Sequence, residues 1–379
     1  MSKWKIPLYK VFVDKEDVNL ASKVIRRGMD WAIGPEIKNL EESLAKYVGC
    51  RYCVAFNSGT SALHAALLVA NVKSGDEVIV PSFTFIATAN SVLMVNAIPR
   101  FVDIEEQTHG LDPSILESEI TKKTKAVIPI HYAGLPCKIK DIVDIVSNRK
   151  ICLIEDAAES LGANIGGKMV GAFGDMSILS FAGNKVMTTG EGGAVITDNK
   201  EFYDKLILIR SHGRLEKQSY FSSNVKPDYV KLGYNWRMSS ITAALGLSQF
   251  NKLEKMIKLR RKNAAYLSSC LSKFKQIMIP NEPPGFKHVY QLYSIRLSSS
   301  KLRDGLMKFL ASKGIMSRVY FYPVHLTQFY RKMGYSKTKK LKVTERVSDQ
   351  ILSLPMYPGL KSEELEYIID SISEFVERQ

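Results

Sequence analysis

GDMSILSFAGNKVMTTGEGGAVITD, residues Gly174 to Asp198, sets one lysine between two apolar runs and a group of glycines. Met176 to Phe181 and Ala194 to Thr197 read as strands, so Lys185 falls on the connection between them, flanked by Gly183, Gly190, Gly192 and Gly193. A lysine so placed is either solvated, as most lysines beside glycine-rich turns are, or held in a cleft. In a cleft, desolvation lowers its pKa, and the neutral amine can attack a carbonyl to form a Schiff base. The aldehyde of pyridoxal phosphate is the usual partner in that chemistry.

Working outward, the short β-rich runs YCVAF, DEVIVP, IPRFVD, KAVIPIH and ICLIED alternate with helical stretches from Arg51 onward. This is the signature of an α/β fold with a mostly parallel sheet covered by helices on both faces. Ligands on such sheets gather beyond the carboxyl ends of the strands. Ahead of the sheet, helices are predicted over Lys15 to Arg27 and Pro35 to Val48. Pro35 suits a first helical position and Gly49 a helix end, and Ile37, Leu40, Leu44 and Val48 form one apolar stripe. Beyond the sheet, Arg214 to Asn235 is polar and loop-like, and one long helix is expected from Ser239 to about Lys273. A domain boundary inside that helix, near residue 250, divides the chain into a large domain (1–250) and a small α+β domain (251–379). The small domain carries HVYQLYSIRL, GIMSRVYFYPVH and a closing helix from Ser362 to Glu377.

Three strand ends carry candidate chemistry. After Tyr52 to Phe56, the residues Ser58, Gly59, Thr60 and Ser61 lead into an alanine-rich helix. They are either an ordinary N-cap or a set of donors for a phosphate at the positive end of the helix dipole. After Asp76 to Pro81 comes SFTFIATAN, whose Phe85 either packs in a core helix or lies flat against an aromatic ring. After Ile151 to Glu155 comes Asp156, a carboxylate at the end of a buried strand. Such a group needs a cationic or hydrogen-bonding partner, because an unpaired buried charge costs several kcal/mol. A protonated pyridine nitrogen is one such partner, and the carboxylate in return keeps that nitrogen protonated.

Composition narrows the classes. A chain of 379 residues, 45% of them hydrophobic, can bury a large core. No uninterrupted apolar run reaches the roughly 18 residues that span a bilayer, and the start MSKWKIPLYKVFV lacks a signal-peptide core, so a cytoplasmic location with no membrane partner is expected. Five scattered cysteines fit a reducing compartment better than a disulfide framework. Cys50 and Cys53 form a lone CxxC beside a buried strand and read as core packing, so no metal site is expected. With 53 basic against 38 acidic residues the net charge is +15, which raises nucleic acid, anionic lipid or a phosphorylated substrate as partners. The densest basic cluster, Arg331 to Lys342, has no nucleic-acid motif and reads as a solvated face.

NSGTSALHAAL, PSFTFIATAN, IEDAAESLGA, GAFGDMSILSFAGNK, TTGEGGAV and GYNWRMSSITAALGLSQ together resemble, in order and spacing, the motifs of the DegT/DnrJ/EryC1/StrS family of nucleotide-sugar aminotransferases. The resemblance covers nearly the whole chain. It implies the fold of the aspartate aminotransferases (fold type I), with a large, mostly parallel seven-stranded sheet domain and a smaller C-terminal α+β domain. It also implies that Lys185 is the imine lysine, Asp156 the pyridine partner and Phe85 the stacking residue, and that Gly59, Thr60, Ser61 and Ser180 hold the phosphate of pyridoxal 5'-phosphate. Glu159 matches a position near the cofactor's ring oxygen. Asn235 matches an asparagine that reaches the phosphate of the neighbouring subunit, which implies a homodimer, or a multiple of one, with shared active sites.

One branch of the family carries histidine at the lysine position and removes a 3-hydroxyl; Lys185 argues instead for amino transfer. SFAGNK, TTGEGG and the later FYPVH most resemble the GDP-perosamine synthases, which aminate C-4 of GDP-4-keto-6-deoxymannose. The implied partners are a nucleotide-linked ketosugar and L-glutamate, with Arg237 and His325 as candidate substrate contacts and no nucleic acid. Three alternatives stay open: a dehydratase or epimerase using the same cofactor, a C-3 aminotransferase, and a non-catalytic regulator that keeps the fold.

Overall fold

The computed structural model describes residues 4–215, 226, 228–335 and 340–378. Much of the polar stretch Arg214 to Asn235 and part of the basic cluster Arg331 to Lys342 lie outside the described residues. The strands in chain order are β1 (Tyr52–Phe56), β2 (Glu77–Pro81), β3 (Ile98–Val102), β4 (Thr124–Val127), β5 (Cys152–Asp156), β6 (Asn164–Ile165), β7 (Lys168–Met169), β8 (Met176–Ser180), β9 (Gly193–Thr197), β10 (Ile277–Met278), β11 (Phe286–Lys287), β12 (Tyr293–Leu297) and β13 (Ile351–Leu354). Seven of them form one sheet in the order β1-β9-β8-β5-β4-β2-β3. Its pairings are parallel from β8 through β3, and β9 runs antiparallel to both neighbours.

Both faces of this sheet are covered, which is why its strands are apolar at nearly every position. The helices around it are α1 (Lys15–Arg27), α2 (Pro35–Val48), α3 (Gly59–Val69), α4 (Ile86–Met94), α5 (Pro113–Glu119), α6 (Ile139–Val146), α7 (Lys200–Arg210), α8 (Ser240–Asn251) and α9 (Leu253–Leu271). On one face Cys53, Ala55, Leu179, Ala194 and Ile196 pack with the α2 stripe Ile37, Leu40, Leu44 and Val48. On the other face Val54, Phe56, Ile178 and Val195 pack with Leu63 and Leu67 of α3 and Leu206 of α7. Neighbours along each strand point to opposite faces, as the two-residue period requires.

The long helix expected from Ser239 is two helices, broken at Lys252. Its ammonium is drawn to Asp14 (2.8 Å) and Asp17 (2.6 Å) at the start of α1. Sequence periodicity shows no break there because the partners lie far away in the chain. The change of core comes within α9: Leu253, Met256 and Ile257 pack under the large sheet, whereas Ala264, Leu267 and Leu271 enter the core of the small domain. That second core holds the antiparallel sheet β10-β12-β13 with α10 (Ser300–Ser312) and α13 (Ser362–Glu377), α12 (Lys342–Gln350) flanks it, and α11 (Gln328–Lys332) packs through Tyr330 against Ala89 of α4. Ile6 belongs to it as well, pairing with Ile315, so the first residues of the chain pack with the last third. No helix among the described residues is long and apolar enough to cross a membrane.

Antiparallel β9 brings Gly193 to the carboxyl end of its neighbours, opposite Phe56 and Ser180. A Cβ at position 193 would lie 2.5 Å from the Gly59 amide nitrogen, so only glycine lets the start of α3 settle against this strand. Gly193→Ala is expected to lower stability by about 1–3 kcal/mol through overpacking. Chemical denaturation checks this, and an unchanged midpoint would contradict the close approach.

Candidate active site

The carboxyl ends of five strands and one loop of the small domain enclose a cavity of about 310 Å³. The chain after β1 contributes Ser58, Gly59 and Thr60, and that after β2 contributes Thr84, Phe85 and Thr88. Ile130 and His131 follow β4; Asp156, Ala158 and Glu159 come from the end of β5; Ser180 ends β8 and leads to Lys185. Tyr320 and Phe321 close the cavity from the small domain.

Lys185 sits on a tight turn in which its amide donates to the Ala182 carbonyl (3.0 Å). The Gln291 side chain of the small domain pins the neighbouring Asn184 carbonyl at 2.6 Å. The lysine is therefore held in the cleft rather than solvated: its Nζ lies 3.4 Å from Glu159 Oε1, and 14% of its side chain is exposed. The other oxygen of Glu159 accepts the Ala133 amide at 2.9 Å, which fixes the carboxylate beside the amine.

Asp156 ends β5 and is buried. Its Oδ2 accepts from Thr88 Oγ1 (2.7 Å), itself 2.9 Å from Thr84 Oγ1, and its Oδ1 accepts from the Ala158 amide (3.2 Å). These are neutral donors, and no cationic side chain forms an ion pair with Asp156 among the described residues. Burial accordingly pushes this carboxyl above its ordinary pKa, although Thr88, the Ala158 amide and the Lys185 charge pull the other way. A protonated pyridine nitrogen would supply the missing positive charge.

At the start of α3, Ser58 caps the helix by accepting from the Ser61 amide (3.0 Å), and the Ser61 hydroxyl donates to Asn57 (2.8 Å). Gly59 and Thr60 face the cavity; Ser61 serves the cap and does not line it. A Cβ on Gly59 would come within 3.2 Å of the Ser180 side chain, so the helix start and the Ser180 hydroxyl converge on one point. Backbone donors, the helix dipole and a hydroxyl directed to that point suit a phosphate. Phe85, 58% exposed, precedes α4 with a ring face available to a flat ligand. The residues present therefore fit pyridoxal phosphate.

Besides Ser61, three expected site residues do not line this cavity. Asn235 is exposed, with its backbone bridged to Ser211, and Arg237 pairs with Phe56 through its backbone while its guanidinium reaches Ser211 Oγ (3.1 Å). His325, a candidate substrate contact, is likewise absent from the lining. Only 2% exposed, its Nδ1 lies 2.7 Å from the Ser82 hydroxyl, which also accepts the His325 amide, and its Nε2 lies 3.6 Å from Glu345. The ring is a peg between the end of β2 and the small domain, and burial holds its pKa below the ordinary value. Sequence reading missed Thr88, Thr84, Tyr320 and Phe321. The i, i+4 spacing of the two threonines was the available signal for the first pair; nothing local marks the second.

A mostly parallel sheet whose strand ends gather a clefted lysine, a buried aspartate and a phosphate cradle defines a pyridoxal-phosphate-dependent aminotransferase. The chain belongs to the DegT/DnrJ/EryC1/StrS aminotransferase family, whose profile matches residues 12–373. GDP-perosamine synthase of Escherichia coli O157:H7 is 34% identical over 370 residues, which is 98% of this chain and 98% of that protein. Among solved structures, Helicobacter pylori PseC, an aminotransferase involved in the biosynthesis of pseudoaminic acid, superposes with a TM-score of 0.92 at 27% identity, over 99% of this chain and 100% of that one. S. venezuelae DesV superposes with a TM-score of 0.90 at 29% identity, over 99% of both chains.

Asp156→Asn separates the two consequences of the buried carboxyl. A raised carboxyl pKa means that the protonated form is favoured on folding, so Asp156 contributes stability below its unfolded pKa and loses it as pH rises through the folded value. Without cofactor at pH 7, the asparagine variant is expected to be at least as stable as wild type, the gap closing in acid. Its affinity for pyridoxal phosphate is expected to fall. Thermal unfolding across pH and cofactor titration measure both, and a variant that is destabilised yet binds as tightly as wild type would refute this account.

Proposed function

We propose that this enzyme moves the amino group of L-glutamate to C-4 of a nucleotide-linked 4-keto-6-deoxyhexose, in the manner of a GDP-perosamine synthase. The observation that carries the reading is Lys185 held beside Glu159 in a cavity floored by Asp156, in a chain that aligns end to end with GDP-perosamine synthase. Lys185 also separates it from a dehydratase with histidine at that position.

When bound, pyridoxal phosphate supplies an electron-withdrawing ring that accepts the electron pair left as a proton departs from an α-carbon. This chain's residues do the rest. Asp156 holds the ring nitrogen in its charged form, Gly59, Thr60 and Ser180 hold the phosphate, and the Phe85 face keeps the ring flat. The Lys185 amine carries the proton between the donor's α-carbon and the carbon that bears the new hydrogen, first as base and then as acid. Glu159, anchored by the Ala133 amide, keeps that amine within reach. Tyr320 and Phe321 cover the site and limit access of water. The positive net charge favours encounter with a diphosphate-linked sugar, and the reaction is assigned to the cytoplasm.

A panel of GDP-, UDP- and dTDP-linked 3-keto and 4-keto sugars, each given with glutamate, tests the reading. The expected result is a 4-amino sugar formed in step with 2-oxoglutarate. Lys185→Ala should fold and lose this turnover by several orders of magnitude. Amination at C-3 alone, or near-normal turnover in the variant, would overturn the assignment.

We further propose a two-fold dimer in which Asn235 completes the neighbour's phosphate site. Asn235 is exposed away from its own cavity, and Tyr229, Val230 and Leu232 beside it are 54%, 51% and 78% exposed, an apolar surface suited to a partner. Mixing Lys185→Ala with Asn235→Asp and allowing exchange should give mixed dimers with one intact site each, roughly a quarter of all sites by random pairing. Activity that stays at the level of the separate variants after confirmed exchange would exclude the shared site.

A further inference from the structure

Thr88 stands in the first turn of α4, and its buried side chain reaches the end of β5. Its hydroxyl has one proton and gives it to Asp156 Oδ2 (2.7 Å), so the 2.9 Å contact with Thr84 Oγ1 runs the other way, Thr84 donating to Thr88. The result is a buried chain, Thr84 to Thr88 to Asp156, whose hydroxyl dipoles all point toward one carboxylate oxygen. Hydroxyls linked in this sense polarise one another and strengthen the last bond. The other oxygen has the Ala158 amide, at the longer distance of 3.2 Å.

The backbone fixes where the Thr88 hydroxyl stands. The Thr88 amide donates to the Phe85 carbonyl (3.2 Å), and its carbonyl accepts from the Ser91 hydroxyl (2.8 Å). A β-branched side chain in a helix then has few rotamers to choose from. The terminal torsion of an aspartate is soft by comparison, so without Thr88 a single long bond would set the plane of the carboxylate. That plane matters because Asp156, 7% exposed, lines the cofactor cavity, and a ring N–H is received well only by an oxygen lying nearly in line with it. Phe85, assigned to the face of the same ring, lies between the two threonines in the chain. One short stretch of backbone therefore carries both the ring's support and the carboxylate's anchor.

We propose that Thr88 is a positioning residue for the cofactor: its hydroxyl, backed by Thr84, locks the Asp156 carboxylate in the orientation that receives the protonated pyridine nitrogen. The inference rests on the assignment of Asp156 to that nitrogen and is independent of the sugar.

Two probes test it, pyridoxal 5'-phosphate and its analogue in which a C–H replaces the ring nitrogen. Each is titrated into the cofactor-free full chain and followed by quenching of protein fluorescence. Thr88→Val keeps the shape and removes the hydroxyl; it is expected to bind pyridoxal phosphate roughly tenfold more weakly than wild type, and the analogue within about twofold of wild type. Thr88→Ser restores the hydroxyl and should return both affinities to wild-type values. Asp156→Asn examines the assignment beneath, and should also weaken pyridoxal phosphate while sparing the analogue. If Asp156→Asn leaves the preference between the probes unchanged, that assignment and this inference fall together. If Asp156→Asn abolishes the preference and Thr88→Val does not reduce it, the role of Thr88 alone is overturned. Equal weakening of both probes in Thr88→Val marks a packing role and overturns the proposal as well, as does a serine variant that stays at the valine level. Should Thr88→Val fail to fold, Thr88→Ala decides by the same two titrations.

Discussion

The site is organised around a carboxyl group that the protein buries without an ionic partner among the described residues. Asp156 stands at the end of a central strand, held by a threonine hydroxyl and one backbone amide. Its neighbour Glu155, on the opposite face, shows the alternative. Burial alone would raise Glu155, but the His131 ring and the amides of Gly171, Phe173 and Gly174 outweigh it and hold that carboxylate below its usual range. His131 Nδ1 accepts the Cys137 amide, so the ring proton sits on Nε2 and is given to Glu155. One carboxylate of the pair is fully satisfied by the fold; the other is left for a ligand to complete. Placing the two on adjacent residues of one strand sends them to opposite faces, which keeps the structural network from competing for the functional one.

The second constraint is steric. Antiparallel β9 turns a loop of glycines back toward the strand ends, so the start of α3 and the strand that follows the Lys185 turn are pressed together at Gly59 and Gly193. The lysine turn gains its geometry from that loop: the Phe181 amide donates to the Gly192 carbonyl, and the Thr189 amide donates to the Phe181 carbonyl, both at 2.9 Å. At Gly193 glycine is needed for space, because the nearest atoms there are backbone and cannot move aside.

What could be read from the sequence follows from where the information lies. β1 and the helices α1, α2 and α13 have the expected bounds, since hydrophobic period and caps are local. That Lys185 and Asp156 would meet beside one cavity was legible because a strand end followed by a polar residue marks a place in the fold. Lys252, at the break, pairs with two aspartates near the amino terminus, and Ile6 joins the small domain by pairing with Ile315; neither contact has a local signature. The packing of His325 has no local signature either. An aromatic run ending in histidine looks the same whether the ring faces a substrate or Ser82, and only the tertiary position of Ser82 separates the two.

The joint between the domains belongs to the site itself. Arg260, midway along α9, is buried, and its Nη1 gives hydrogen bonds to the carbonyls of Tyr290, Gln291 and Met356; burial pulls its pKa down to about 10, which leaves it charged at neutral pH. A buried cation that bonds three carbonyls from two segments fixes their spacing, since losing any of them leaves charge poorly solvated. Gln291, whose carbonyl accepts from Arg260, donates from its side chain to the Asn184 carbonyl and so reaches the residue before Lys185. The helix that carries the chain from one core to the other therefore also sets, through one arginine and one glutamine, where the reactive amine stands. The large domain alone supplies every group assigned to the cofactor, yet the placement of the lysine turn and the cover of Tyr320 and Phe321 come from the small domain, and the site is complete only when the two are docked.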